Sequence, residues 1–169
     1  MSEPARASSA AEARFRIDDP NSRPRAVKVI ALDPPSEAVV RRLAQDQSSN
    51  ASFLVASAFT AVAGADAQFS MGSWLSDLAG RTRRLVDEIE AADLLVMIAT
   101  AGQSARVAAV IGEAAHAKHV TTTAFVLSSP STPDEALATT LAPLRPWALM
   151  LVIASAEDYV AGMLKALRA

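Results

Sequence analysis

The segment Leu94–Thr100 reads LLVMIAT, seven residues without a charge and without a regular change between polar and apolar side chains. A strand that is covered on one face shows such alternation, whereas a strand covered on both faces is apolar along its whole length. The sequence therefore predicts that Leu94–Thr100 is a central strand of a buried sheet. Four further apolar segments of strand length occur at 27–32, 53–58, 121–127 and 147–153.

Segments with a helical spacing of apolar residues separate these strands. Helices are predicted at 36–47, 75–91, 105–118, 134–144 and 156–169. Strands that alternate with helices form parallel sheets with helices packed on both faces. We therefore expect an α/β fold: a single Rossmann-like domain over residues 27–169, with a parallel five-stranded sheet and helices on both faces. Residues 59–74 are predicted to be a long loop, and residues 1–26 a flexible N-terminal arm with few large apolar side chains.

The composition argues against several classes of function. The 169 residues include 16 Lys and Arg and 18 Asp and Glu, which gives a net charge of −2. Because there is no basic excess to neutralise phosphates, no nucleic-acid partner is expected. The chain has no cysteine, so disulfides, thiolate metal sites and thiol nucleophiles are excluded. The two histidines, His116 and His119, are too few for a histidine metal site, and no metal or cofactor is predicted.

The sequence shows no targeting or membrane signal. The first 26 residues contain no apolar run that resembles a signal-peptide core, and they include acidic residues that are rare in organelle transit peptides. No apolar stretch reaches the roughly 18 residues that a membrane helix needs. A cytoplasmic protein without membrane contact is therefore expected.

Polar residues are predicted at the edge of the sheet where ligands usually bind. In open parallel sheets this edge is formed by the carboxyl ends of the strands, at the point where the strand order reverses. The candidate ligand-binding residues there are Asp33, Ser36, Thr100, Gly102, Gln103, Ser104, Ser128 and Ser129. No histidine is predicted at this edge and no nucleophile-elbow motif occurs, so no catalytic residue is assigned. These features favour a binding role over an enzymatic one.

Several segments resemble the nucleotide-binding domain of the FtsZ/tubulin GTPase family, in the same order along the chain. They are Val27–Ile30, Glu37–Leu43, Glu88–Val96 with Thr100–Gly102, Ala109–Ala115, Thr122–Leu127 and Leu144–Ala154. The resemblance covers residues 27–154. It implies a Rossmann-like fold with a nucleotide site at the carboxyl edge of the sheet.

The two glycine-rich phosphate loops of that family are missing. After the first strand the chain reads Asp33-Pro34-Pro35-Ser36, where the prolines lack N–H donors and Asp33 adds a negative charge. After Thr100-Ala101-Gly102 the family's run of glycines is absent. We therefore expect a degenerate relative without GTP hydrolysis, a non-catalytic nucleotide-binding-like scaffold that acts as a protein interaction, assembly or accessory subunit. The N-terminal arm and residues 59–75 are the predicted contacts with a protein partner or with further copies in a homo-oligomer.

A second interpretation assigns a ligand to the loop Gly102-Gln103-Ser104. Sugar-phosphate isomerase domains are similar in placing a small-residue loop between a strand and a helix. That similarity implies that Ser104 bonds a phosphate, assisted by Arg106, with Thr100 and Ser128–Ser131 nearby. The alternative function is thus an enzyme or sensor that binds a sugar phosphate or a nucleotide. Ser104 is also a suitable N-terminal cap for the predicted helix, which would give it a purely structural role.

Overall fold

The structure, a computed structural model, describes residues 25–46, 51–56 and 74–167. The strands are β1 (Val27–Ala31), β2 (Ala51–Val55), β3 (Trp74–Asp77), β4 (Thr82–Arg84), β5 (Leu94–Thr100), β6 (Thr121–Leu127) and β7 (Met150–Ala154). The helices are α1 (Pro34–Asp46), α2 (Leu85–Glu90), α3 (Val107–Ala117), α4 (Asp134–Leu144) and α5 (Glu157–Ala166). The predicted N-terminal arm up to residue 24, and the predicted loop up to residue 73, lie outside the described residues.

The seven strands of the described residues form one sheet with the order β4-β3-β2-β1-β5-β6-β7. The five strands that the sequence predicted, β1, β2, β5, β6 and β7, pair in parallel. Two short additional strands pair antiparallel beside β2. The α/β class is therefore confirmed, but the predicted five-stranded parallel sheet is wrong, because the sheet is mixed and has seven strands.

The additional strands form a hairpin where a helix was predicted over residues 75–91. Asp77 Oδ1 accepts hydrogen bonds from the backbone N–H groups of Ala79 (3.0 Å) and Arg81 (2.9 Å), which holds the chain in a tight turn. Gly80 completes the turn with φ +78°, a conformation that glycine adopts without steric cost. A helix cannot continue through this turn, and α2 begins only at Leu85.

Two apolar clusters lie on opposite faces of the sheet. Alternate residues of β1 and β5 enter different clusters, as the period of a strand requires. Helices α2, α3 and α4 contribute to one cluster, for example through Ile89, Ile111 and Leu141. Helices α1 and α5 contribute to the other through residues such as Val40 and Leu164. Helices thus cover both faces, and six of the seven residues of β5 are buried, in agreement with its predicted central position.

No helix within the described ranges has the length and apolarity that crossing a membrane would require.

Candidate functional site

The strand order reverses between β1 and β5. The chain leaves β1 towards β2 on one side, whereas it leaves β5 towards β6 on the other side. The connections that follow β1 and β5 therefore run to opposite sides, and open α/β sheets usually form a ligand crevice at such a point. Asp33 follows β1 at this point, and Thr100 is the last residue of β5.

The Asp33 side chain joins the two strand ends. One carboxylate oxygen, Oδ2, accepts the backbone N–H of Thr100 at 2.8 Å, and the other, Oδ1, accepts the backbone N–H of Ser36 at 2.8 Å. The Ser36 hydroxyl in turn accepts the N–H of Asp33 at 3.1 Å and donates to its carbonyl at 2.9 Å. Asp33 is 3% exposed and Ser36 is fully buried. Three of the predicted ligand-binding residues thus meet in one network, and they bond to each other.

Helix α1 offers few backbone donors to a ligand at this point. Pro34 and Pro35 are its first two residues, and neither has an N–H. Proline is favoured at the start of a helix because the first N–H groups have no partner within the helix. The next two donors are both engaged by Asp33, since its side chain accepts the N–H of Ser36 and its carbonyl accepts the N–H of Glu37 at 2.9 Å.

The loop after β5 is held in the same way. Its backbone N–H groups bond within the protein: Ala101 to the Leu127 carbonyl (2.8 Å), Gly102 to Thr140 Oγ1 (3.0 Å) and Gln103 to the Thr100 carbonyl (3.0 Å). Gly102 has φ +86°, which strains any other residue. The amides of residues 100–103 therefore have internal acceptors rather than free positions for a phosphate.

Thr140, on α4, was not predicted as a residue of this site. It is fully buried, and its hydroxyl accepts the Gly102 N–H and donates to the Gln103 carbonyl at 2.9 Å. The available signal is its position on the apolar face of α4, beside Leu141 and Leu144, where a polar side chain needs a buried partner. One threonine hydroxyl thus fixes both ends of the Gly102–Gln103 peptide segment.

The electrostatics of the crevice disfavour an anion. Within residues 25–46, 51–56 and 74–167, no Lys, Arg or His forms an ion pair with Asp33. Glu157, at the start of α5, is paired with Arg42 of α1. The hydrogen bond from Arg42 lowers the pKa of Glu157 below its usual range. The charge of Arg42 is therefore already matched by a carboxylate.

Ser128 and Ser129 belong to a separate turn. Ser129 Oγ lies 2.9 Å from Ser131 Oγ and 3.0 Å from Thr132 Oγ1, and its N–H donates to Thr132 Oγ1 at 3.1 Å. In the part of the chain that is described, no hydrogen bond links this turn to Asp33. The predicted site therefore divides into a buried network around Asp33 and an exposed hydroxyl turn after β6.

Gln103 and Ser104 are exposed at the loop surface. The predicted cap at Ser104 is wrong, because α3 begins at Val107 after Arg106 and has no side-chain cap hydrogen bond. The Thr100 hydroxyl, in contrast to these exposed side chains, is buried, and its Oγ1 has no hydrogen-bond partner among the described residues. In the described part of the chain, Thr100 at the end of β5 thus carries a buried polar side-chain atom that no protein group satisfies.

A groove of about 420 Å³ lies at the other end of the strands. Its walls include Gly112 and His116 of α3, Thr121 of β6, Trp147 and Leu149. Trp147 packs directly on Gly112, since a Cβ built there would lie 2.3 Å from Trp147 Cγ. His116 is exposed at this end, away from the carboxyl ends of the strands.

Comparison with known protein families and with curated proteins finds no match for this chain, so its likeness to the FtsZ/tubulin family remains a prediction from the residues quoted above.

Proposed function

We propose that this chain is a nucleotide-independent α/β scaffold that acts as a protein interaction, assembly or accessory subunit. The observation that carries the proposal is the Asp33 carboxylate at the switch point, bonded to the N–H groups of Ser36 and Thr100. A phosphate-binding loop presents such N–H groups to the ligand. Here a side chain of the protein already takes that position.

The energies favour the internal acceptor. A phosphate at this point would have to replace two hydrogen bonds to a charged group, each contributing about 1.5–3 kcal/mol. It would also approach a buried carboxylate, and two like charges roughly 4 Å apart repel by about 4 kcal/mol at an effective dielectric constant near 20. The prolines at the start of α1 remove the donors that would offset this cost.

In this proposal the likeness to the FtsZ/tubulin family extends to the scaffold and not to its phosphate loops. The chain has lost nucleotide binding and keeps a rigid sheet that presents its outer surfaces to other proteins. The residues around Asp33 then serve the stability of the fold, and the partner binds elsewhere.

Calorimetric titration of the full chain with GTP, GDP and ATP tests the proposal. We expect no saturable heat for any of the three nucleotides. Binding with a Kd in the micromolar range to one of them would overturn it. Titration of the Asp33→Asn variant, with Asp93→Asn as the exposed counterpart, would then show whether the carboxylate opposes the nucleotide.

A second candidate, the binding of a sugar phosphate, is favoured by one observation. Thr100 Oγ1 is buried and unpartnered at the base of the loop that leads to the exposed residues Ser104 and Arg106. A thermal-shift screen with sugar phosphates should raise the Tm of the protein if this function is correct. The double variant Ser104→Ala/Arg106→Ala should abolish that rise, and the absence of any rise would leave the scaffold function as the better proposal.

A further inference from the structure

The groove beside Trp147 has an apolar wall and a charged neighbour. Leu149, one of its walls, is 83% exposed, whereas Trp147 is partly buried and packs against the cluster that α3 and α4 cover. Glu113, next to Gly112 on α3, is exposed and forms no ion pair within the described residues. The groove therefore suits a segment that carries large apolar side chains and a positive charge.

The N-terminal part of the chain enters the described structure at the same edge of the sheet as this groove. Ala26 immediately precedes β1, and its N–H donates to Asp93 Oδ2 at 2.8 Å while its carbonyl accepts the Asp93 N–H at 2.8 Å. The groove lies where β6 begins, at Thr121. Because β1, β5 and β6 are parallel neighbours, β1 and β6 start at one edge, about 10 Å apart at the usual spacing of strands.

Four stretches of the chain lie outside the described residues: 1–24, 47–50, 57–73 and 168–169. Residues 57–73 leave β2 and return to β3, and because these two strands are antiparallel, both ends lie at the carboxyl edge, away from the groove. Residues 47–50 join α1 to β2, which is three positions from β6 in the sheet. Residues 168–169 are only two, and they follow α5, which packs on the opposite face. Of the four, residues 1–24 alone have both the position and the length to reach the groove.

This N-terminal stretch carries side chains that match the groove. Two of its three large apolar residues are Phe15 and Ile17, and Arg16 separates them. In an extended segment Phe15 and Ile17 point to one side and Arg16 to the other. Ile17 lies eight positions before the first described residue, and eight residues of extended chain span about 26–29 Å, which exceeds the separation of β1 and β6. A segment tethered so closely competes with any separate partner at a roughly millimolar effective concentration.

We propose that residues 14–18 bind in the groove of the same molecule, with Phe15 and Ile17 against Trp147 and Leu149. The contact covers the exposed Leu149 and brings the arginines of the segment near Glu113, a carboxylate of opposite charge. A partner protein that uses this groove has to displace the segment first. The contact goes beyond the proposed function, because it holds whether or not the chain binds a nucleotide.

Paramagnetic broadening of NMR signals in the full chain tests this contact. The natural sequence has no cysteine, so one nitroxide can be attached at a chosen position. A nitroxide on His116→Cys, an exposed wall of the groove, should broaden the amide signals of residues 14–18. The same label on Tyr159→Cys, at a 52% exposed position of α5 on the opposite face, should leave these signals sharp. Sharp signals with the His116 label, or equal broadening by the two labels, would overturn the proposal.

Substitutions on each side of the contact make the test specific. Leu149→Lys, and separately Phe15→Ser/Ile17→Ser, should remove the broadening caused by the His116 label. The control is Ile153→Lys, since Ile153 is 50% exposed on β7 but does not line the groove, and it should leave the broadening unchanged. Broadening that persists in either of the first two variants, or that is lost in the control, would contradict the contact. The dispersion of the amide spectrum shows that each variant keeps its fold.

A mixed sample distinguishes the same molecule from a second copy. Isotope-labelled chains without a nitroxide are mixed with unlabelled chains that carry it on His116→Cys, and we expect no broadening of residues 14–18. Broadening in this sample would assign the segment to the groove of another copy and would also overturn the proposal. Nucleotide binding would contradict only the proposed function, whereas sharp signals in the labelled chain would contradict only this contact.

Discussion

The backbone N–H of Thr100 donates a 2.8 Å hydrogen bond to the Asp33 carboxylate, 67 positions earlier in the chain. The same carboxylate accepts the N–H of Ser36, so one buried side chain connects the end of β5 with both the end of β1 and the start of α1. At this point of the crevice, two backbone donors are thereby occupied by a residue of the protein. Asp33 is a stabilising residue in this arrangement, and its contribution can be measured.

Replacement of Asp33 by Asn should destabilise the protein by about 1–3 kcal/mol, because the amide NH₂ group faces a backbone donor that then lacks an acceptor. Urea denaturation measures the change in the free energy of unfolding. The matched control is Asp93→Asn, since Asp93 also accepts a backbone N–H at 2.8 Å, from Ala26, but is exposed. The control should lose no more than about 0.5 kcal/mol. Equal losses in the two variants would show that the Asp33 network has no special role.

Replacement of Thr140 by Val should cost about 1–3 kcal/mol, because the shape of the side chain is kept while two part-buried hydrogen bonds, from the Gly102 N–H and to the Gln103 carbonyl, are lost. Thr139→Val is the control one position away, since its hydroxyl bonds only to the Glu135 carbonyl on the exposed side of α4. We expect the control to change the free energy of unfolding by less than about 0.5 kcal/mol. A larger loss in the control than in Thr140→Val would contradict the assignment.

Replacement by alanine should change the stability of the protein in opposite directions at two helical glycines, Gly112 and Gly162. At Gly112 the new Cβ would lie 2.3 Å from Trp147 Cγ, so the indole must move and the fold should lose about 1–3 kcal/mol. At Gly162 of α5 the new Cβ would meet no atom within 4 Å from other described parts of the chain beyond its own helical turn, and the higher helix propensity of alanine should stabilise by about 0.4–1 kcal/mol. Thermal unfolding of both variants measures the difference, and a stable Gly112→Ala protein would contradict the packing of Trp147 on α3.

The turn of the β3–β4 hairpin should loosen in acid. The backbone N–H of Arg81 lowers the pKa of Asp77, with further contributions from the Arg81 side chain and the N–H of Ala79. A carboxyl whose pKa is lowered by folding stabilises the protein above its ordinary value of 3.8, and this contribution is lost as the pH falls through the lower folded value. Asp77→Asn should therefore reduce stability near neutrality and change it little in strong acid.

An NMR titration of the Asp77 carboxyl carbon checks this prediction directly. We expect a midpoint below 3.8, and a midpoint at or above that value would contradict the role of Asp77 in the turn.

The sequence alone was sufficient to predict the five parallel strands and most of the helices. The strands are continuous apolar runs, whereas the helices have apolar residues at helical spacing, so the two patterns are easily told apart. It was not sufficient for the hairpin, because Leu75, Leu85 and Ile89 are buried in the structure at spacings that also fit one face of a helix. Asp77 and Arg81, whose spacing of four positions would also suit a helical ion pair, are paired at 2.7 Å across a turn rather than along a helix face. The sequence signal that favours a hairpin over a helix here is Gly80, which lies in the turn with φ +78°.

The residues of the candidate site could also be predicted only in part from the sequence. Asp33 and the prolines at the start of α1 were recognisable, because their residue types already restrict the backbone donors. Thr140 was not recognisable as a partner of Gly102, since the two residues are 38 positions apart and meet only when α4 packs against the sheet. Contacts of this kind follow from the arrangement of the crossovers, which local sequence patterns do not encode.

The junction of β4 and α2 has a mechanical consequence. Arg84 is the last residue of the strand and Leu85 the first of the helix, so no linker separates them. Leu85 and Ile89 are both anchored in the apolar cluster under the sheet. A displacement of β4 therefore acts directly on the first turn of α2, whose Leu85 and Ile89 side chains are packed in the core.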